Sequence, residues 1–184
     1  MNIGLVGSPG SGKSELALKL KKDHTIIDGY AQRIEETTKL AAGPWASYLM
    51  NFMVANERIQ CEIAARRSEQ PFISCGTIIE SAAYMAMRGA SHSKIGGIAE
   101  HNRDALIMQT LGLLFWDTFL YDIVFYLPPT QKQEKLTDEQ IFAALETFEV
   151  EYVILDSPDK AEQALSHIAA KEELETTEAD QPAV

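Results

Sequence analysis

A chain of 184 residues with 46% apolar content is long enough for one domain with a sizeable core. Its formal charge of −11 argues against broad, non-specific binding to nucleic acid. Two cysteines without C-x-x-C spacing exclude a disulfide framework. With no signal-peptide pattern and no apolar run long enough to cross a bilayer, the expectation is a soluble, cytoplasmic protein without a membrane partner.

In chain order, residues 2–6 are short and apolar, as a buried parallel strand should be. Gly7-Ser8-Pro9-Gly10-Ser11-Gly12-Lys13-Ser14 follows and reads G-x-x-x-x-G-K-S, a full match to the phosphate-binding P-loop. Glu15 to Lys22 consists of good helix formers. Strand, glycine loop and helix are the context in which this motif works. The glycines let several backbone N–H groups converge on phosphate oxygens, and the positive end of the helix dipole faces the same place. Lys13 would reach the β- and γ-phosphates, and the Ser14 hydroxyl would sit on Mg²⁺. Residues 7–15 are therefore the expected nucleotide-binding segment, with ATP and Mg²⁺ as cofactors.

His24 to Asp28 reads as a second strand, ended by Gly29 and followed by a helix around Ala31–Ala41. Trp45 to Arg67 is a long helical stretch. Phe72 to Cys75 is strand three, closed by Gly76-Thr77, with a helix from Ile78 to Arg88. Residues 89–97 read as a polar loop and Ile98–Leu120 as a further helix. Asp122 to Leu127 is strand four, closed by Pro128-Pro129. A helix over Thr137–Phe148 has Thr137 as its N-cap and Gln140 three positions on. Tyr152 to Leu155 is strand five, and Asp159 to about Ala170 is the last helix.

Residues 172–184 hold five acids and no base, and 171–184 is expected to be an acidic, disordered tail to a domain of residues 1–170. Five apolar strands alternating with helices imply a doubly wound α/β domain with a five-stranded parallel sheet. Ligands in such sheets bind beyond the carboxyl ends of the strands. The segments to interrogate are thus the P-loop, Asp28, residues 75–77 and the stretch from Pro128.

This layout resembles the P-loop kinases of the nucleoside, nucleotide and polynucleotide type. The residues that carry the likeness are the P-loop, Ile26-Ile27-Asp28, and Tyr126-Leu127-Pro128-Pro129. Ser81-Ala82-Ala83-Tyr84 is similar to a helix in nicotinamide-riboside-kinase-like proteins. The resemblance implies transfer of the γ-phosphate of ATP to a nucleoside- or nucleotide-like acceptor. It gives Asp28 the acceptor hydroxyl, and Arg33, one turn into the next helix, an acceptor phosphate or carboxylate. Alternative roles are a turn-forming Asp and a solvated helix charge.

Three departures stand out. Cys75-Gly76-Thr77 replaces the Asp usual at the end of strand three. Only Lys132 and Lys135 stand where lid arginines are common. No arginine follows Arg103. Glu80 would replace the missing acid by holding a Mg²⁺-bound water, or would be an ordinary acid of a first helical turn. His92, Ser93, Lys94, His101, Asn102 and Arg103 read as an acceptor-side lid or a plain surface loop. Trp45, Tyr48 and Phe52 read as core or as a base-stacking surface. Two other functions stay open: a kinase acting on a modified base or 5′ end in DNA, tracked by the basic patch between Arg58 and Arg103, and a nucleotide-binding switch or NTPase with no acceptor.

Overall fold

A computed structural model describes residues 1–40, 48–91, 121–129, 135–147, 149–157 and 159–179. Within them lie five strands: β1 (Ile3–Val6), β2 (Thr25–Ile27), β3 (Phe72–Cys75), β4 (Ile123–Tyr126) and β5 (Val153–Ile154). The helices there are α1 (Lys13–Leu20), α2 (Tyr30–Thr38), α3 (Tyr48–Arg67), α4 (Ile78–Ser91), α5 (Lys135–Thr147) and α6 (Lys160–Ala179). All strand pairs are parallel, in the order β2-β3-β1-β4-β5. This is the doubly wound α/β sheet the strand–helix alternation implies.

Burial explains the strand sequences. β1 and β3 are inner strands, buried along their whole length, and read as uninterrupted Ile-Gly-Leu-Val and Phe-Ile-Ser-Cys. Alternate side chains still go to opposite faces. Ile3 and Leu5 pack with Leu16 and Leu20 of α1 and Ala164 of α6. Val6 packs on the other face with Ile59 of α3, Ile79 of α4 and Leu145 of α5. The edge strands β2 and β5 are shorter and partly exposed.

The topology sets the position of the site. The chain leaves β1 for the far edge at β2, returns to place β3 beside β1, then crosses to β4 on the other flank. The crevice beyond the carboxyl ends of β1, β3 and β4 is therefore a switch point. Pairing continues past the strand ends there: Gly76 N–H donates to Leu5 O (2.9 Å) and Leu127 N–H to Val6 O (2.7 Å).

Helix ends differ from the sequence reading. α2 stops at Thr38, before Ala41, because Lys39 takes a left-handed conformation (φ 62°) and its N–H closes on Glu35 O. α4 runs to Ser91 and absorbs the start of the loop expected over 89–97. The rest of that loop and the helix expected over 98–120 lie outside the described residues.

The largest correction concerns the tail. α6 continues to Ala179, so residues 171–179 are helical where disorder was expected. The composition of that stretch lacks an apolar stripe. Yet Lys, Glu, Leu and Ala are good helix formers, and extending a helix that is already nucleated costs little. The Lys171 ammonium also donates to the Asp122 carbonyl at the entry to β4. Residues 180–184 lie outside the described residues.

Truncation after Ala170 should lower ellipticity at 222 nm by the share of nine helical residues. An unchanged spectrum per molecule would return 171–179 to the coil state.

Candidate active site

The P-loop leaves β1 at Gly7, pressed against the end of β4. A Cβ there would lie 2.5 Å from the Leu127 carbonyl oxygen and 2.7 Å from Ser11 Oγ, so glycine alone fits this exit. Ser8 and Ser11 are buried, while Pro9 and Gly10 form the exposed crest. α1 starts at Lys13 with no side chain capping it, so its first N–H groups are left for a ligand. Ser14 presents an exposed hydroxyl in that first turn.

Lys13 is held over the loop it belongs to. Its Nζ donates to Gly7 O (2.5 Å) and Ser8 O (3.0 Å), and lies 3.4 Å from Glu80 Oε1. The same Glu80 oxygen accepts the Gly7 N–H at 2.9 Å. One carboxylate from the first turn of α4 thus braces both ends of the loop. Burial raises the Glu80 carboxyl above its ordinary range, opposed by Lys13 and by the Gly7 N–H. Gly76 makes room for it: its φ is +85°, and a Cβ there would stand 2.8 Å from both Glu80 Oε2 and the Tyr30 hydroxyl.

Beyond Lys13 opens a cleft of about 340 Å³. Pro9, Lys13 and Glu80 line it from the P-loop and α4, Asp28 and Cys75 from the strand ends, and Tyr30, Asn51, Arg58 and Tyr84 from the helices. Asp28 is half-buried, and its Oδ1 accepts the Gly29 N–H at 2.7 Å, the turn bond of its structural role. Cys75 stands beside it, and burial, first, and the Asp28 charge push its thiol pKa up from 9.0 to about 12. Cys75 is therefore a protonated wall residue and no metal ligand. Asn51 is buried, and its Nδ2 has no hydrogen-bond partner among the described residues.

A second depression, of about 360 Å³, opens on the other flank of the P-loop, between Gly10-Ser11-Gly12 and the start of α6. Lys160 donates to Ser11 O (3.3 Å), and Asp159 Oδ1 caps α6 through the N–H groups of Ala161 and Glu162, both at 3.1 Å.

Lys13, Asp28 and Glu80, far apart in sequence, meet in one cleft. Of the other expected site residues, Pro9 also lines this cleft, Gly10, Ser11, Gly12 and Glu15 line the second depression, and Gly7, Ser8, Ser14 and Arg33 line neither. Arg33 turns to the Asp28 backbone carbonyl (3.0 Å) and to Glu57 (3.7 Å), and borders a separate groove along the β2 edge. Glu15 points to the second depression and pairs with Lys19 at 3.1 Å. The arginine in the cleft wall is Arg58, which the sequence reading had placed only in a basic patch. Asn51, Val54 and Arg58 stand at i, i+3 and i+7, one face of α3, a spacing that offered the missed signal. Trp45, His92, Ser93, Lys94, His101, Asn102, Arg103 and Lys132, and the side chains of Tyr48 and Lys135, lie outside the described residues.

A magnesium ion fits this donor set. It takes oxygen ligands, keeps waters and needs only one or two protein groups beside substrate phosphates. The Ser14 hydroxyl and the Glu80 carboxylate are such groups, and among the described residues no cluster of three His, Cys, Asp or Glu competes.

Sheet order, P-loop and cleft together give the chain the fold of the P-loop kinases. No family model and no curated protein matches it in sequence. Solved structures do. NadR protein in complex with NR aligns at a TM-score of 0.66 with 14% identity, over 86% of this chain and 44% of that one. NadR in complex with NAD and AMP-PNP aligns at 0.67 with 14% identity, over 92% and 48%. Deoxyadenosine kinase from M. mycoides with bound dATP aligns at 0.63 with 14% identity, over 92% of this chain and all of that one. The chain spans less than half the length of the NadR structures. Among its described residues no helix is long and apolar enough to cross a membrane.

Two measurements probe the site without a ligand. Gly76→Ala forces a left-handed alanine against Glu80 and Tyr30 and should cost at least ~1–3 kcal/mol, read from the urea midpoint. A shift near zero would mean the Glu80 brace is not seated as described. Alkaline pH should destabilise the fold. Cys75, Tyr30 and Tyr126 all keep their protons in the folded state longer than in the unfolded chain, burial being the main cause. Their stabilisation is complete below the unfolded values and is lost as pH rises through the folded ones. The urea midpoint should fall from about pH 9 upward, by up to ~1.4 kcal/mol per pH unit for each group. A flat profile to pH 11 would contradict their burial.

Proposed function

We propose that this protein is an ATP- and Mg²⁺-dependent kinase that phosphorylates a hydroxyl of a nucleoside-like acceptor. The observation that carries this reading is the meeting of Lys13 and Asp28 on one cleft, with an anion-ready helix start beside it. A phosphate-binding loop needs no carboxylate facing an adjoining 340 Å³ cleft unless something with a proton to lose sits there.

The donor triphosphate would lie in the P-loop, its γ-phosphate toward Lys13, its nucleoside on the side of the second depression. The acceptor would enter the cleft with its hydroxyl at Asp28. In the transfer, the acceptor oxygen forms a bond to the γ-phosphorus while the bond from that phosphorus to the bridging oxygen breaks. The hydroxyl proton passes to the Asp28 carboxylate, and ADP leaves with the electron pair. Lys13, held by two carbonyls and paired with Glu80 before any ligand arrives, would exchange one of these contacts for a phosphate oxygen. Mg²⁺ held by Ser14 and Glu80 would neutralise phosphate charge. Asn51 Nδ2 and the Arg58 guanidinium give the cleft wall hydrogen-bond donors for a heterocycle, and Tyr30 and Tyr84 give it ring surface.

The names of the structural neighbours agree with this class: one is a deoxyadenosine kinase, another a complex with NR. The DNA alternative loses support, because Arg58, the first member of its basic patch, is 1% exposed. Arg33, turned away from the cleft, has no part in this mechanism. The switch reading leaves the cleft and its carboxylate without a task.

ADP release should accelerate when a ribo- or deoxyribonucleoside is added to protein with ATP and Mg²⁺. Lys13→Ala should abolish transfer in a protein that still unfolds cooperatively. Asp28→Asn should keep ATP affinity by calorimetry and lose transfer by about 10²-fold, the lower end of general-base effects, since phosphoryl transfer leans on positioning. Equal transfer by wild type and Asp28→Asn would sink the reading.

A further inference from the structure

Behind the cleft wall lies a buried ion pair that the transfer chemistry does not use. Arg58 and Glu62 stand one turn apart on α3, their side chains 1% and 0% exposed, with Nε 3.8 Å from Oε1. The same oxygen of Glu62 accepts the Ser74 hydroxyl (2.5 Å) and the Tyr121 hydroxyl (2.7 Å). Ser74 belongs to β3, and Tyr121 leads into β4. The Arg58 guanidinium lies 5.6 Å over the Tyr30 ring, and the Tyr30 hydroxyl donates to the carbonyls of Cys75 (2.6 Å) and Gly76 (3.1 Å). Arg58, Tyr30 and Cys75 line the cleft, and Glu62 does not.

Stability alone gives this arrangement no advantage. Taking two charges out of water costs several kcal/mol per ion, and well-packed apolar residues of similar volume are often as stable or more so. A buried pair whose cationic end reaches the wall of a ligand cleft is better explained by what the cation does there. The guanidinium is matched by Glu62 before any ligand arrives, so it offers oriented N–H donors rather than an uncompensated charge. That suits a carbonyl or ring nitrogen more than a phosphate.

We propose that Glu62 is a positioning residue for the acceptor. Resting on the kinase reading above, it acts through Arg58, fixing the guanidinium against Tyr30 and the end of β3 so that the cleft selects an uncharged heterocyclic acceptor. Glu62 touches no substrate itself. Donor binding, on the other side of Lys13, is independent of it.

The test is a double-mutant cycle with Glu62→Gln, Arg58→Met and the two combined. Wild type is first assayed with ATP, Mg²⁺ and the natural ribo- and deoxyribonucleosides, and the best acceptor is used throughout. Glu62→Gln should raise the acceptor KM by roughly tenfold, while kcat and the calorimetric Kd for ATP stay within about twofold. Arg58→Met should raise KM at least as far. The combined variant should do no worse than Arg58→Met, and its Tm should exceed that of Arg58→Met, because it no longer buries an unpaired carboxylate. Glu62→Asp, which keeps the charge, should recover part of the KM loss; it also serves if Glu62→Gln does not fold.

A KM effect that adds to that of Arg58→Met, or a fall in kcat and ATP affinity together, would assign Glu62 to general structure and overturn the proposal. A wild type that accepts no nucleoside would instead remove the kinase reading, and the positioning role with it. A wild type active with additive effects removes the positioning role alone.

Discussion

One oxygen of Glu80 joins the two halves of this molecule's site. It takes the Gly7 N–H at the exit of β1 and stands beside Lys13 at the start of α1, while its own helix follows β3. The contact exists only because β3 is threaded next to β1 rather than after β2 at the edge. It also needs a residue without a side chain at Gly76, where the chain turns left-handed out of β3. Sheet order, one glycine and one acid therefore depend on one another. An ionised carboxylate in so buried a place is unfavourable by itself, and Lys13 and the Gly7 N–H oppose that cost without cancelling it. The loop gains a fixed shape before any phosphate enters, the condition under which electrostatic stabilisation of transfer works best.

What the sequence makes plain and what it hides divide along the range of the interactions. The P-loop is a local pattern whose chemistry is set by neighbouring residues. Strand runs such as Ile-Gly-Leu-Val are legible because burial on both faces leaves nothing but apolar choices. Asp28 and Glu80 were legible by position, since topology sends everything after a strand's carboxyl end to one mouth. The arginines were not. Arg33 follows Asp28 closely and looks like its partner, yet it bonds the backbone of that residue and Glu57 on the outer side. Arg58 and Glu62 have the i, i+4 spacing of a surface pair, and spacing carries no information about which helix face is buried. That face was settled by Ser74, Tyr30 and Tyr121, contributed by three separate segments. The tail misled for a different reason. Composition reports whether a stretch can build a core, and residues 171–179 need none, because they prolong a helix packed on α1.

The two flanks of the P-loop differ in a way that suits two ligands of different kinds. On the α6 side the wall is backbone and exposed charge: Gly10 to Gly12, Glu15, Lys19, Asp159 and Lys160. On the α3 side it is ring surface, amide and a buried cation whose charge is already matched. The first side holds Glu15 and Asp159 beside Lys19 and Lys160, and the second holds Asp28 and Glu80 beside Lys13 and Arg58. A flat, uncharged molecule with hydrogen-bond acceptors gains from the second.

This asymmetry bears on the departures from the usual kinase pattern. With Cys75 at the end of β3, the acid that braces the P-loop stands in the first turn of α4, at Glu80. The Cys75 thiol stands beside Asp28 on the cleft, and burial, first, and the Asp28 charge keep it protonated. Asp28 itself is half-buried and accepts the Gly29 N–H. An aspartate in place of Cys75 would set two carboxylates side by side there, an unfavourable repulsion. Cysteine at that position avoids this repulsion, so Asp28 and Glu80, the acids among the described residues lining the cleft, stand on separate elements.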